Sequence, residues 1–198
     1  GFYDAESVIY GSISFSDVSD EEKGILALAE LGIINGYGDG SFGSEDMLSV
    51  ENALKIAMSM LGYNEYVNVL GGGNTEYLLQ ARRIGLMAGI DGLNMNSTLT
   101  WGDAVILLDN IIDIDVLEAK VFSSKRDYVA VKGETLLAVY RDIHFVRGVM
   151  KANEFTSLNS ENGTAKGEVK IGDAIYSVND SIIGYLGYEL DVWYQEKD

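Results

Sequence analysis

Along the first 115 positions, apolar residues return every three to four places in four segments, the signature of helices with one buried face. Glu21–Leu31 puts Ile25, Leu28 and Ala29 on one face and predicts a helix that Gly32 stops in the left-handed conformation. A second helix is predicted from Ser49 or Val50 to Leu61, with Ala53, Leu54, Ala57, Met58 and Leu61 as its stripe and Gly62 as its stop. Thr75–Ile84 reads like the first helix, with Leu78, Leu79, Ala81 and Ile84 before Gly85, and Thr100–Ile112 reads like the second. Thr100 and Asp103 have the spacing of a reciprocal N-terminal cap. These stripes are expected to form core. Trp101, in the first turn of the last helix, is expected to be core or partly buried, with a stacking platform for a sugar ring as the other reading.

From Tyr128 the period falls to two. Val129–Val131, Leu136–Tyr140, Ile143–Ala152, Lys166–Val178 and Tyr188–Tyr194 read as strands, with Asn162-Gly163 and Gly172-Asp173 as turns. Five short strands in so short a span predict a small barrel or sandwich, and Ser181–Leu186 a single helical turn. The change of pattern places a boundary near Asp115–Lys120.

The helix pairs repeat. Leu31–Gly36 aligns with Ile84–Gly89 at an offset of 53 residues, and Leu48–Leu54 aligns with Leu99–Val105 at an offset of 51. Such a period indicates stacked supersecondary units, none of which buries its apolar face alone. This is the architecture of a binding or scaffold module.

Composition narrows the function. With 198 residues, 47% of them apolar, the chain can bury a sizeable core. Its net charge is −17, and residues 1–115 hold 18 of the acids against 4 cations. A nucleic-acid partner needs a basic surface, and an anionic membrane attracts one; neither fits. No apolar run reaches the ~20 residues that span a bilayer, so membrane insertion is not expected. Cysteine is absent, which excludes disulfides and thiolate metal sites, and with no proline the turns rest on 23 glycines.

Four chemical readings can be weighed on the residues. Gly38-Asp39-Gly40-Ser41-Phe42-Gly43 matches Gly-x-Gly-x-x-Gly, but it follows a helix and places Asp39 inside the would-be phosphate cradle, so it reads as a turn. A calcium loop would need carboxylates where Ser41 and Gly43 stand. The single histidine, His144, lies beside Asp142 in a strand pattern without a nucleophile elbow, and reads as structural. Arg82 and Arg83 sit late in a helix, where they complement its dipole, and are the best anion handle of an acidic region. No catalytic group, metal site or cofactor is expected.

Phe15-Ser16-Asp17-Val18, then Ala29–Phe42 with its Gly-Ile-x-x-Gly-Tyr-x-Asp-Gly-x-Phe core, then the helix to Leu61, resemble the S-layer homology (SLH) repeat. A weaker copy covers 64–114, where Gly71–Tyr77 replaces the Phe-x-Asp-Val opening. The remainder resembles, more softly, a β domain that follows such repeats in surface proteins of Gram-positive bacteria. The resemblance implies helical repeats packed as a pseudo-trimer on the outside of the cell. It also implies non-covalent attachment to a pyruvylated secondary cell-wall polysaccharide, through an Ile-Thr-Arg-Ala-Glu-like motif whose arginine meets the ligand's carboxylate.

Here that motif reads Leu48-Ser49-Val50-Glu51-Asn52 and Leu99-Thr100-Trp101-Gly102-Asp103. Both arginine positions are lost, to Val50 and Trp101, while Ser49, Thr100, Glu51 and Asp103 keep the hydroxyls and acids. The expectation is an α+β protein with four parts: an extension over 1–14, SLH-like repeats over 15–63 and 64–115, and a β-rich domain over 116–198. The repeats would attach it to wall polysaccharide through Ser49, Glu51, Thr100, Trp101, Asp103, Arg82 and Arg83. In the alternative, the repeats have lost the polymer and the β domain binds a partner protein or a glycan.

Overall fold

The computed structural model describes residues 13–19, 22–122, 125–159 and 162–196. They form a mixed α+β chain in two compact units, Gly1–Arg141 and Asp142–Asp198. In the first unit come α1 (Lys23–Glu30), α2 (Val50–Met60), α3 (Asn64–Val69), α4 (Gly73–Arg83) and α5 (Trp101–Ile112). The hairpin β1 (Asp115–Phe122)–β2 (Lys125–Thr135) and α6 (Leu136–Arg141) complete it.

Helices α1, α2, α4 and α5 fall where the periodicity places them, to within two residues at each end. Gly32, Gly62 and Gly85 all take positive φ after a helix, the conformation that an L side chain resists. Helix α2 is the centre of the first unit: Val50, Leu54, Met58 and Leu61 are fully buried among Tyr77, Ala81, Leu86 and Ile90. The segments that lead into α2 and α5 run antiparallel. Ser49 bridges Thr98, Leu99 N–H donates to the Leu48 carbonyl at 2.8 Å, and Val50 and Glu51 N–H donate to the carbonyls of Ser97 and Met95.

Several expectations need correction. Leu136–Tyr140 is helix, not strand. Thr135 Oγ1 lies 3.4 Å from the Ala138 N–H in the manner of an N-cap, and Leu136 and Ala138 face the core from a run of good helix formers. Leu79 is exposed, because α4 buries Tyr77, Gln80 and Ala81 instead. Trp101 is exposed too, as are Val105 and Leu108, since α5 turns only Leu107 and Ile111 inward. Helix α3 has no sequence forecast at all.

The hairpin, which its period of two assigns to the later β region, lies in the first unit. Leu117 N–H donates to the Leu61 carbonyl at 2.9 Å, and Val116 and Leu117 pack on the helical core. Alternation reports strand conformation; it does not report which core the strand covers.

The second unit is an antiparallel sheet ordered β5-β4-β3-β6, made of β3 (His144–Asn153), β4 (Glu168–Ile171), β5 (Ala174–Ser177) and β6 (Glu189–Tyr194). Gly172-Asp173 turns between β4 and β5 as forecast, and the Ser181–Leu186 turn is a short 3-10 helix over Asp180–Tyr185. Asn162-Gly163 lies in a longer connection that folds back on β3, where Thr164 N–H reaches the Asn153 carbonyl. Met150, Val169 and Ile171 are buried on one face, with Val146, Leu190 and Val192 around them. The opposite register carries Phe145 beside Trp193 and Arg147 beside Asp191.

Gly62 concentrates these constraints, for it holds φ at +79° and has the Leu117 carbonyl where a Cβ would stand. Gly62→Ala therefore combines a left-handed alanine with a backbone clash and is expected to cost about 2–5 kcal/mol. The midpoint of chemical denaturation, followed by circular dichroism, reads that loss, and Gly24→Ala, in open space on a helix, should show none of it.

Candidate functional site

The glycine-rich loop owes its shape to the Phe-x-Asp-Val opening. The Asp17 carboxylate accepts the N–H of Phe42 at 2.8 Å and of Gly43 at 2.6 Å, and its carbonyl accepts the Ser44 hydroxyl. The Phe15 ring meets Phe42 at 5.4 Å between centroids and lies against Gly36, whose absent Cβ leaves room for it. Asp39 accepts the N–H and hydroxyl of Ser41, the self-closed turn that an Asx residue makes. This is turn chemistry, with no phosphate cradle. Among the described residues no group of acids and histidine is arranged to hold a metal.

Held in this way, the loop and α2 enclose an open cleft of about 430 Å³. Its polar lining is Asn35, Tyr37, Asp46, Asn52 and Lys55, and Ile33, Phe42 and Met47 give it an apolar wall. The Tyr37 hydroxyl donates to Asp46 at 2.8 Å, and this hydrogen bond, with the nearby carboxylates, pushes its pKa up. The Lys55 ammonium is held at 2.5 Å by Glu51, one helical turn back, and Asn74 donates to the other oxygen of that carboxylate. The hydrogen bond from Lys55 dominates in holding the Glu51 carboxyl below its usual range.

The residues singled out from sequence do not converge. Ser49 caps α2 by accepting the Asn52 N–H at 3.2 Å. Because Val50 and Glu51 spend their N–H groups on Ser97 and Met95, the start of α2 has no donors left for an anion. Thr100 and Asp103 form the forecast reciprocal cap on α5, which accounts for both. Arg82 and Arg83 lie exposed in the last turn of α4. Glu51 reaches the cleft only through Lys55. The cleft residues Tyr37, Asp46, Asn52 and Lys55 escaped the sequence reading; the one signal was that Lys55 is among only four cations before residue 116. His144, in the second unit, bonds Asp142 at 3.0 Å and lies near the Tyr194 ring, and among the described residues no hydroxyl nucleophile is bonded to it.

Comparison with known proteins agrees with this geometry. Residues 14–48, which supply most of the cleft wall, match the S-layer homology domain family. Middle cell wall protein of Brevibacillus brevis is 24% identical over 189 residues, covering 83% of this chain and 17% of that protein. The chain thus spans about a sixth of the length of the curated relative it matches. No solved structure matches the chain. The match over residues 14–48 and the cell-wall relative together point to an S-layer homology segment and to a place at the bacterial cell surface. No helix among the described residues is long and apolar enough to cross a membrane.

The loop is expected to be acid-sensitive. Backbone N–H groups hold the Asp17 carboxyl, and Ser41 the Asp39 carboxyl, below the free value of 3.8. A lowered folded pKa contributes stability that is present above pH 3.8 and is lost as the pH falls through the folded values. Amide resonances of Phe42 and Gly43 should therefore move together below that pH, and Asp17→Asn should remove the transition at Phe42 while leaving that at Ser41.

Proposed function

We propose that the protein is a non-catalytic surface module held on cell-wall polysaccharide, with the cleft between the glycine loop and α2 as its polymer contact. The repeats are then residues 15–63 and 64–115, with the hairpin and α6 up to Arg141 closing their core, and the sheet unit from Asp142 is what they carry. One observation supports the reading most: the segment that matches the S-layer homology domain is the one that builds the cleft. Aromatic and amide groups beside a carboxylate suit the apolar faces and hydroxyls of sugar rings.

The contact proposed is with hydroxyls rather than with a pyruvyl carboxylate. Val50 and Trp101 replace the motif arginines, the N–H groups at the start of α2 are taken, and the single cation of the cleft is already paired with Glu51. A second reading has the β region bind a glycan or a partner protein, and the exposed Phe145–Trp193 pair, 5.2 Å between centroids, favours it.

Isolated cell-wall sacculi test the proposal. The chain should sediment with them, Tyr37→Ala and Asn52→Ala should each lower retention several-fold, and Trp193→Ala should leave it unchanged. Removing pyruvyl groups from the polymer should matter little. Retention no better than that of an unrelated acidic protein rejects wall attachment, and loss confined to Trp193→Ala moves the contact to the β region.

A further inference from the structure

The open face of the sheet in the second unit is built in rungs. Across the β3–β6 pair, Phe145 stands directly opposite Trp193, Arg147 opposite Asp191, and Val149 opposite Glu189. The residues between them, Val146, Leu190 and Val192, pack on the buried side, so the three rungs share the other face. Strand β6 is the edge of the sheet.

Two of these rungs have complementary chemistry. The aromatic rung is a pair of rings 5.2 Å apart between centroids and tilted by 50°, with Trp193 56% and Phe145 43% exposed. The polar rung is a fork, in which Arg147 Nε and Nη2 donate to the two Asp191 oxygens at 2.5 and 2.7 Å. The Arg147 guanidinium lies 5.9 Å from the Phe145 ring centroid, which joins the rungs to each other. Successive rungs on one face are about 7 Å apart, close to the width of a pyranose ring. A carboxylate offers about four acceptor positions, and the fork fills only part of those on Asp191.

Charge and desolvation select the ligand. An anionic ligand would meet Asp191 and the exposed Glu189 on a chain of net charge −17. An apolar partner would have to desolvate the fork, whose Arg147 and Asp191 side chains are 61% and 43% exposed. A neutral sugar meets neither penalty: its C–H face covers the indole, and its rim hydroxyls donate to the carboxylate. Exposure by itself is not the criterion, since Trp101 is 90% exposed and has no ring partner among the described residues.

We propose that this face is a stacking site for neutral pyranose sugars, with one ring on Trp193 and Phe145 and its hydroxyls on Asp191, which Arg147 holds in place. The proposal gives the second reading of the β region a ligand chemistry and rests on that reading, not on the cleft. Two rungs take a single ring, so the site is weak and wall retention does not depend on it.

An NMR titration of the full chain tests this, with neutral trisaccharides of glucose and of N-acetylglucosamine as probes and a galacturonic acid trimer as the anionic one. The chain has two tryptophans and so two indole N–H signals. That of Trp193 should shift saturably with a neutral trisaccharide, while that of Trp101 stays in place. Phe145→Ala and Asp191→Asn should each lower the affinity read at Trp193 several-fold, and the anionic trimer should bind several-fold more weakly. A Trp193 signal that ignores both neutral sugars overturns the proposal. So does one that Trp101 matches, which would be stacking on any bare indole. Equal binding of the anionic trimer, or an affinity that Asp191→Asn leaves unchanged, removes the fork from the site and also overturns it. A signal that moves only with chain concentration assigns the face to a second copy instead. Tyr37→Ala, which reads the cleft, should leave the Trp193 titration unaltered, so failure here and failure of the cleft reading are told apart.

Discussion

Burial of one face of helix α2 is the constraint around which the rest of the first unit is arranged. Val50, Ala53, Leu54, Ala57, Met58 and Leu61 form a single apolar stripe, and all of them are buried. The 64–115 segment supplies α4 and the Leu86–Met95 stretch on one side, and the hairpin closes the C-terminal end through Leu61 and Gly62. Even the first N–H groups of α2 are satisfied from that segment, by the Ser97 and Met95 carbonyls, rather than by solvent or ligand.

The glycine loop depends on a second, more local constraint. Asp17 is distant in sequence from Phe42 and Gly43, yet its carboxylate is what fixes their N–H groups, while Phe15 fills the space that Gly36 leaves open. The paired Phe and Asp of the opening are therefore one device: an aromatic plug and a carboxylate clamp on the same loop. That loop forms the wall of the cleft. Its glycines permit the path, and the acid two elements earlier selects it.

Much of this was legible in the chain. Helical periodicity, the glycine stops after α1, α2 and α4 and the Thr100–Asp103 cap all rest on interactions within a few residues, and sequence reports those well. The misreadings share a cause. Leu136–Tyr140 satisfies a period of two and a helical i,i+4 spacing equally, so only the Thr135 cap and the core beneath it decide. Leu79 and Trp101 are apolar residues on the right kind of element, and their exposure is set by which face of α4 and of α5 meets the core. The cleft residues were missed because Tyr37, Asp46 and Lys55 carry no spacing signal; they become a site only when the loop folds over α2.

The sequence by itself determined the class of structure and the likeness of its first loop to a known family, because these follow from backbone preferences and from residues that act on their near neighbours. Tertiary structure alone decided that α2 is buried where α5 is exposed, where the hairpin belongs, and that Ser49 caps α2 while the next two N–H groups go to Ser97 and Met95. Those outcomes depend on which surfaces meet across fifty residues or more. The α2 and α5 segments are alike in pattern, and only what packs against each makes α2 a core helix and leaves Trp101, Val105 and Leu108 of α5 exposed.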